Sequence, residues 1–267
     1  TRVSGFSTIR SNIGEVANKG VELELTTQNI KTERFTWETS FNFSKNNNRV
    51  LALSPGINQL VMLTTLNDFN AYATVVGQPI GSFYMYKTDG VLLPGDFDAD
   101  GNALVPIVNG QLEGNLKIVD VNNDGQINEG DHTVVGNAQP DFLWGMSSRL
   151  TYNGFDFSFS IQGQQGGDLF YLGRRGFNNG LGEGTNQYRD WLHAYKPAAY
   201  AANIPDGVDM SWDGKTPSVV GVNPPYNDTW VYDATFVRIR NVTLGYNFAQ
   251  TFLKRWKVQA IRLYVMA

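Results

Sequence analysis

Long stretches of this chain alternate large apolar with small polar side chains at every second residue, and no other feature limits its fold so tightly. In "GVELELTT", Val21, Leu23 and Leu25 share one face while Glu22, Glu24 and Thr26 share the other. In "FTWETSFNFS", Phe35, Trp37, Phe41 and Phe43 oppose Thr36, Glu38, Ser40, Asn42 and Ser44. "FLWGMSSRLTY" and "FDFSFSIQGQ" flank Asn153-Gly154, the strongest short hairpin signal because both central residues of a type I′ turn need positive φ. Phe155, Phe157, Phe159 and Ile161 then alternate with Asp156, Ser158, Ser160 and Gln162. A fifth strand is expected over about Trp230 to Phe248, and a sixth from near Val258 through Ile261, Leu263 and Val265. In the fifth, the apolar phase slips between Ile239 and Val242, which predicts a β-bulge near Asn241.

Alternation alone fits either an antiparallel sandwich with one wet face or a membrane barrel. Two observations favour the barrel. The apolar face is rich in aromatics (13% of the chain), often at strand ends, where interfacial belts sit. The connections also alternate short and very long: short at Gln28–Glu33, Asn153–Gly154 and about Ala249–Trp256, long over residues 55–140 and 168–229. Short turns on one side and long loops on the other are the rule in outer-membrane barrels. The fold expected is therefore all-β: an antiparallel transmembrane β-barrel segment of about six strands, carrying two long extracellular loops.

The first long loop holds "DVNNDGQINEGD", residues Asp120 to Asp131. Ca²⁺ takes oxygen ligands from positions 1, 3, 5, 7, 9 and 12 of such a loop. Those positions are Asp120, Asn122, Asp124, Gln126 (through its carbonyl), Asn128 (through water) and Asp131, with Gly125 at the sharp turn. An Asx-rich turn can form without metal, but the oxygen series favours a structural Ca²⁺ that staples a long excursion. The last ligand is Asp rather than the longer Glu, which shortens the reach to the ion. A second run, Asp96, Asp98, Asp100 and Gly101, starts alike but has Ile107 at its twelfth position, so a plain turn is expected there.

In combination, "NIGEVANKGVELEL", "VGQPIGSFYMYKTDGV", "DVNNDGQINEGDHTVVGNAQPDFLWGMSSRLTYNGFDFSFSIQGQQG" and "YDATFVRIRNVTLGYNF" resemble the SusC/RagA-type TonB-linked outer-membrane transporters of Gram-negative bacteria. The resemblance spans nearly the whole of residues 1–267 and implies the C-terminal portion of a plugged barrel of roughly 22 strands. It further implies a SusD-like surface lipoprotein as lid, energy from the TonB system through an N-terminal part, and oligosaccharides or peptides as cargo. The chain opens at "TRVSGFSTIR" and stops inside the alternating run "IRLYVMA", so a piece truncated at both ends is expected.

Other functions find little support. Net charge is −4 with no basic run, which argues against nucleic acid, and Cys is absent, which excludes thiolate metal sites. Of the two histidines, His132 is expected to cap the calcium-type loop or meet solvent, and His193 to pack within "QYRDWLHAY". No catalytic constellation stands out, so no enzyme activity is expected. Trp191, Tyr195, Tyr200, Trp212 and Tyr226 in the second long loop are candidates for partner contact or sugar stacking. Arg238 and Arg240 are expected to face the lumen, because a charge facing lipid at mid-depth costs about 2 to 4 kcal/mol. The rival to a transporter in contact with outer-membrane lipids is a soluble extracellular calcium-stabilised carbohydrate-binding β-domain.

Overall fold

Asn153 and Gly154 take φ of 46° and 91°, the mirror-image turn whose twist matches the strands it joins. A Cβ on Gly154 would lie 2.8 Å from the Asn247 carbonyl oxygen, so both conformation and space require glycine there. From this hairpin outward the computed structural model is built of strands; it describes residues 12–64, 69–171, 173, 188–198, 207, 209–223 and 226–267. In chain order they are β1 (Gly14–Lys31), β2 (Phe35–Leu53), β3 (Gln59–Thr64), β4 (Phe69–Val75), β5 (Ser82–Tyr86), β6 (Thr88–Val91) and β7 (Leu116–Ile118). There follow β8 (His132–Gly136), β9 (Phe142–Tyr152), β10 (Phe155–Gln165), β11 (Asp168–Phe170), β12 (Val231–Asp233), β13 (Phe236–Asn247) and β14 (Arg262–Met266). No helix of the described residues is long and apolar enough to cross a membrane.

The chain divides into two compact units. One is a six-stranded sheet ordered β1-β2-β9-β10-β13-β14, with β1 and β14 at its edges. Its inner strands pair antiparallel in long registers: Phe155 opposes Tyr152 on one side and Tyr246 on the other, and Phe157 opposes Leu150 and Leu244. One apolar face therefore runs through Trp37, Leu150, Phe157, Leu244 and Val265, row upon row. The opposite face carries Thr36, Thr151 and Asp156 in one row and Ser40, Ser147, Ser160 and Asn241 in another.

The register slips between Ser160 and Ile161, so that Asn241 opposes Ser160, Ile239 opposes Ile161, and Arg240 is the extra residue. The bulge expected near Asn241 thus falls one residue earlier. It keeps Val237 and Ile239 on the same face as Val242, Leu244 and Tyr246. Aromatics occur in the middle rows of the apolar face as well (Trp37, Phe157, Phe159 and Phe41), and they form a band at each of its ends. Near the hairpin, Phe35 meets Tyr152 edge-on at 6.4 Å and Phe155 lies 4.6 Å from Tyr246. Toward the other strand ends, Phe43 lies 5.4 Å from Phe142, and the Trp144 ring covers Gly163, where a Cβ would strike it. Eight residues of β9 separate Trp144 from Tyr152; at about 3.4 Å rise and about 40° tilt the bands stand about 20 Å apart in height. That is close to the apolar band of outer-membrane barrels, about 25 Å tall.

Two expected boundaries differ. The first short turn occupies residues 32–34, because β1 continues to Lys31. The last connection is a helical turn, Gln250–Leu253, followed by a 3-10 turn, Lys254–Trp256, so β14 begins at Arg262 rather than near Val258. Leu253 anchors that connection, almost fully buried, and Lys257 closes it with φ 56°.

The second unit gathers most of the two long loops, residues 52–138 and 169–232. Its sheets are β3-β4-β5-β8 and the pair β6-β7, both antiparallel. Ala71, Phe83 and Met85 form its buried core, with Tyr72, Val135, Phe170, Tyr226 and Val231 packed around them. The two loops that the sequence presents as separate excursions fold as one body.

Candidate functional site

The polar face of the six-stranded sheet is the first candidate. Small hydroxyl and amide side chains leave two adjoining hollows along it. One, of about 300 Å³, is lined on this face by Glu38, Ser40, Ser147, Arg149, Ser158 and Ser160. The other, of about 410 Å³, shares Ser147 and Ser160 and extends to Asn42, Gln162, Phe236 and Arg240. Cross-strand hydrogen bonds order its floor: Thr26 Oγ1 with Ser40 Oγ at 3.0 Å, Gln28 Nε2 to Glu38 Oε1 at 3.3 Å, and the hydroxyls of Thr36 and Thr151. Toward the hairpin the face ends in a fixed ion pair. Arg262 donates to Asp156 through Nη2 at 2.6 Å and Nε at 3.1 Å, and Asn247 Nδ2 adds a third bond at 3.0 Å. Gly245 makes room for this cluster, since a Cβ there would come within 2.8 Å of both Arg262 and Asp156.

Such a face can hold a polar solute by many weak hydrogen bonds, but it carries no nucleophile–base pair. Both histidines lie in the other unit. The expectation that Arg238 and Arg240 lie on the polar side agrees with the register, which sets Arg238 opposite Gln162, and with the place of Arg240 in the larger hollow.

The second candidate is the Asp120–Asp131 loop. Asp120 accepts the N–H groups of Asp124 (3.2 Å) and Gly125 (2.8 Å), and Asn122 Oδ1 accepts Asp124 N–H at 2.9 Å. Asp124 in turn accepts from Gln126 N at 2.8 Å, while Asn123 and Gly125 take positive φ (58° and 80°) to let the chain wrap. Asn128 caps the next turn through Gly130 N–H at 2.8 Å. Asp131 is fully buried, and each of its oxygens holds a backbone N–H, of Val121 and of Asn128, at 2.9 Å. It therefore acts as a clasp across the loop. Among the described residues no three acidic or imidazole groups converge on one centre. The donors that fit a cation are two carboxylates, Asp120 and Asp124, with Asn122 and the Gln126 carbonyl, a sparse set by calcium standards. The second run is held by its own bonds: Asp98 accepts from Asp100, Asn102 and the Asn102 amide, which lower its pKa.

His132 caps the last turn of the loop through its backbone, donating its N–H to the Glu129 carbonyl, and its ring is half-buried rather than turned to open solvent. It starts β8 and packs edge-on against Tyr86 at 4.3 Å and Tyr84 at 5.8 Å. Burial pushes its imidazole below the ordinary value, against the pull of the Glu129 and Asp131 charges. Burial, then the same two charges, pushes the Tyr86 phenol up.

Of the five loop aromatics, the structure joins Tyr195 and Trp212, whose rings meet edge-on at 5.1 Å. Tyr195 also donates to Glu113 Oε1 at 2.5 Å; burial, that bond and the Glu113 charge push its phenol up to about 12. Tyr226 sits apart against Trp230 at 5.1 Å. Trp191 lies in the short turn Arg189–His193, where His193 Nδ1 meets Ser211 Oγ at 3.2 Å, and Tyr200 lies outside the described residues. What the sequence did not reveal is how the loops are sewn together. Asn115, fully buried, accepts Leu112 N–H and Val222 N–H and donates to the Val220 carbonyl at 2.5 Å. Asn223 accepts Leu116 N–H at 2.8 Å, and Asp228 accepts both the N–H and the hydroxyl of Thr88. Asparagine in a polar loop gives no signal of such a role, because the partners in the opposite loop lie more than a hundred residues away in the chain.

No protein-family profile matches the chain. It is 31% identical over 266 residues to TonB-dependent receptor P3 of Formosa agariphila, covering 98% of this chain. It is 27% identical over 257 residues to TonB-dependent receptor SusC of Bacteroides thetaiotaomicron, covering 94% of this chain. The chain spans about a quarter of the length of these relatives, 25% and 22%. Its fold superposes over its full length on the RagAB peptide transporter (TM-score 0.70, 21% identity, 27% of that chain). The RagAB peptide importer in its open-open state gives a TM-score of 0.73 at 20% identity, with 26% of that chain covered.

Proposed function

Because this chain belongs to the SusC/RagA-type TonB-dependent receptors of the outer membrane, we propose that it forms barrel wall and outer loops of an importer of oligosaccharides or peptides. On this reading the apolar face meets lipid, the polar face lines the path of the cargo, and a SusD-like lipoprotein covers the loop unit from outside. TonB supplies the energy through parts of the protein beyond this quarter of its length. One observation carries the reading: the apolar rows are uncovered across the whole sheet. Leu23, Phe155, Ile239, Leu244 and Val265 are each more than half exposed, a patch that water does not tolerate and lipid does. A soluble sugar-binding domain would bury such a face in its core, whereas these side chains stand exposed.

The test uses the protein as its own cell makes it. Deleting the gene should abolish uptake of a labelled mixture of oligosaccharides and peptides for at least one cargo class, and a protonophore should abolish the same uptake in the parent cell. Uptake unchanged in the deletion strain would reject the reading.

For the loop we propose one structural Ca²⁺ held by Asp120, Asn122, Asp124 and the Gln126 carbonyl, with Asp131 clasping the backbone around it. The ligand spacing and the inward-turned carboxylates support it. With only two carboxylates the dissociation constant belongs near the weak end for extracellular modules, about 10⁻³ M. Calorimetric titration of the purified protein with calcium should show one site that Asp124→Ala removes. No binding at millimolar calcium would reject it.

A further inference from the structure

We propose that Arg238 and Arg240 form a recognition site on the lumen wall for carboxylate groups of the cargo; this rests on the import reading above. Three observations bring the site together. First, the bulge in β13 exists at the one place where it adds an arginine. Arg238, opposite Gln162, faces the polar side in any register; Arg240, the extra residue, lines the larger hollow, and the bulge seats Asn241 beside it opposite Ser160. The bulge thus sets a charged side chain outside the regular pairing, next to an amide, on the polar wall.

Second, the surroundings supply hydrogen bonds but no counter-charge. The row of Arg238 holds Gln162, Gly145 and Asn42, and the neighbouring row holds Asn241, Ser160 and Ser147. The acids of this face stand elsewhere: Glu38 opposite Arg149, Asp156 bound to Arg262, and Glu22 and Glu24 on the edge strand β1, four strands away from β13. Among the described residues neither Arg238 nor Arg240 makes an ion pair; Arg238 rests its guanidinium 5.2 Å over the Phe236 ring, which fixes the group without neutralising it. Two like charges two residues apart repel unless an anion joins them, so the wall is most stable when one does.

Third, the geometry selects the kind of anion. Guanidinium presents planar paired donors that match a carboxylate, and the amides of Asn42 and Gln162 can hold neighbouring hydroxyl or peptide groups. The hollow of about 410 Å³ beside Arg240 has room for a sugar ring or one amino-acid residue. A uronic acid and an acidic or C-terminal peptide carboxylate share this chemistry.

The experiment works whatever the cargo. Cells are grown with a tryptic digest of casein and with matched sets of neutral and uronate-containing oligosaccharides. The intact protein is purified in detergent, and the molecules retained are weighed by mass spectrometry. In the parent protein, carboxylate-rich species should be enriched over the supplied mixture; in Arg238→Gln/Arg240→Gln that enrichment should fall about ten-fold, the size expected from losing charge-assisted hydrogen bonds. Enrichment confined to peptides or to uronates names the source of the carboxylate. Assembly of the variant is checked by heat-modifiable mobility, and if the pair disturbs it, each single substitution should still lower the enrichment. Cargo retained with the charge distribution of the mixture, or a variant with unchanged enrichment, overturns the site alone. A parent protein that retains nothing overturns the site and the import reading together.

Discussion

Asn115 shows how much one side chain can hold. Its buried amide serves three backbone groups from two distant stretches. Asn115→Ala should leave two N–H groups and one carbonyl without this partner, each costing about 1 kcal/mol, the low end for groups that water partly reaches. Limited trypsin digestion of the folded protein should then cut the 86–119 and 209–223 regions several-fold faster, with the strands of the sheet still protected. An unchanged cutting rate would remove Asn115 from this role. His132 makes a pH-dependent contribution with a definite sign. Its folded pKa lies below the unfolded value of about 6.5, so the packing against Tyr86 and Tyr84 is fully present above that value. As pH falls through about 6.5, the unfolded segment takes up a proton that the folded one refuses, and stability is lost down to the folded pKa. Hydrogen exchange over 132–136, corrected for intrinsic rate, should quicken between about pH 7.5 and pH 5.5, and His132→Phe should abolish that change.

At the scale of elements, β10 is the sharpest case. Phe157 opposes Leu150 and Leu244 on the apolar face, whereas Ser158 opposes Arg149 and Thr243 on the polar one. Phe157→Arg places a charge against lipid at about 2 to 4 kcal/mol and should reduce the heat-modifiable, assembled protein severely. Ser158→Arg should leave its amount within about two-fold of the parent; equal effects of both would refute the assignment of faces. Strands of this kind are legible in sequence because the alternation and the Asn153–Gly154 turn are local signals, and the phase slip at Arg240 was legible to within one residue. The end of β1 and the start of β14 were less so. Thr32 hydroxyl and amide bonds to Phe35 tighten the first turn, and the buried Leu253 pulls the last connection into a helical turn that alternation does not report. The oxygen series of Asp120 to Asp131 was legible as a loop, but not that Asp131 turns both oxygens onto the loop's own N–H groups, of Val121 and Asn128, and is buried there.

For the whole molecule, the sewing of residues 86–119 to 209–228 sets an order of events. Asp228 holds the N–H and the hydroxyl of Thr88, and the carbonyl that Asn115 holds belongs to Val220, so the first loop meets its counterparts only after β9 and β10 have been made. Such long sequence separations slow folding, because the chain must be closed over a large interval before the contact forms. A pulse-labelled assembly experiment should therefore show protease resistance of the six-stranded sheet first and of both loops later and together, whereas protection of the first loop before the second appears would contradict this. The stitching thus makes the joined surface a late product of folding: it comes into being only when the second long loop has met the first.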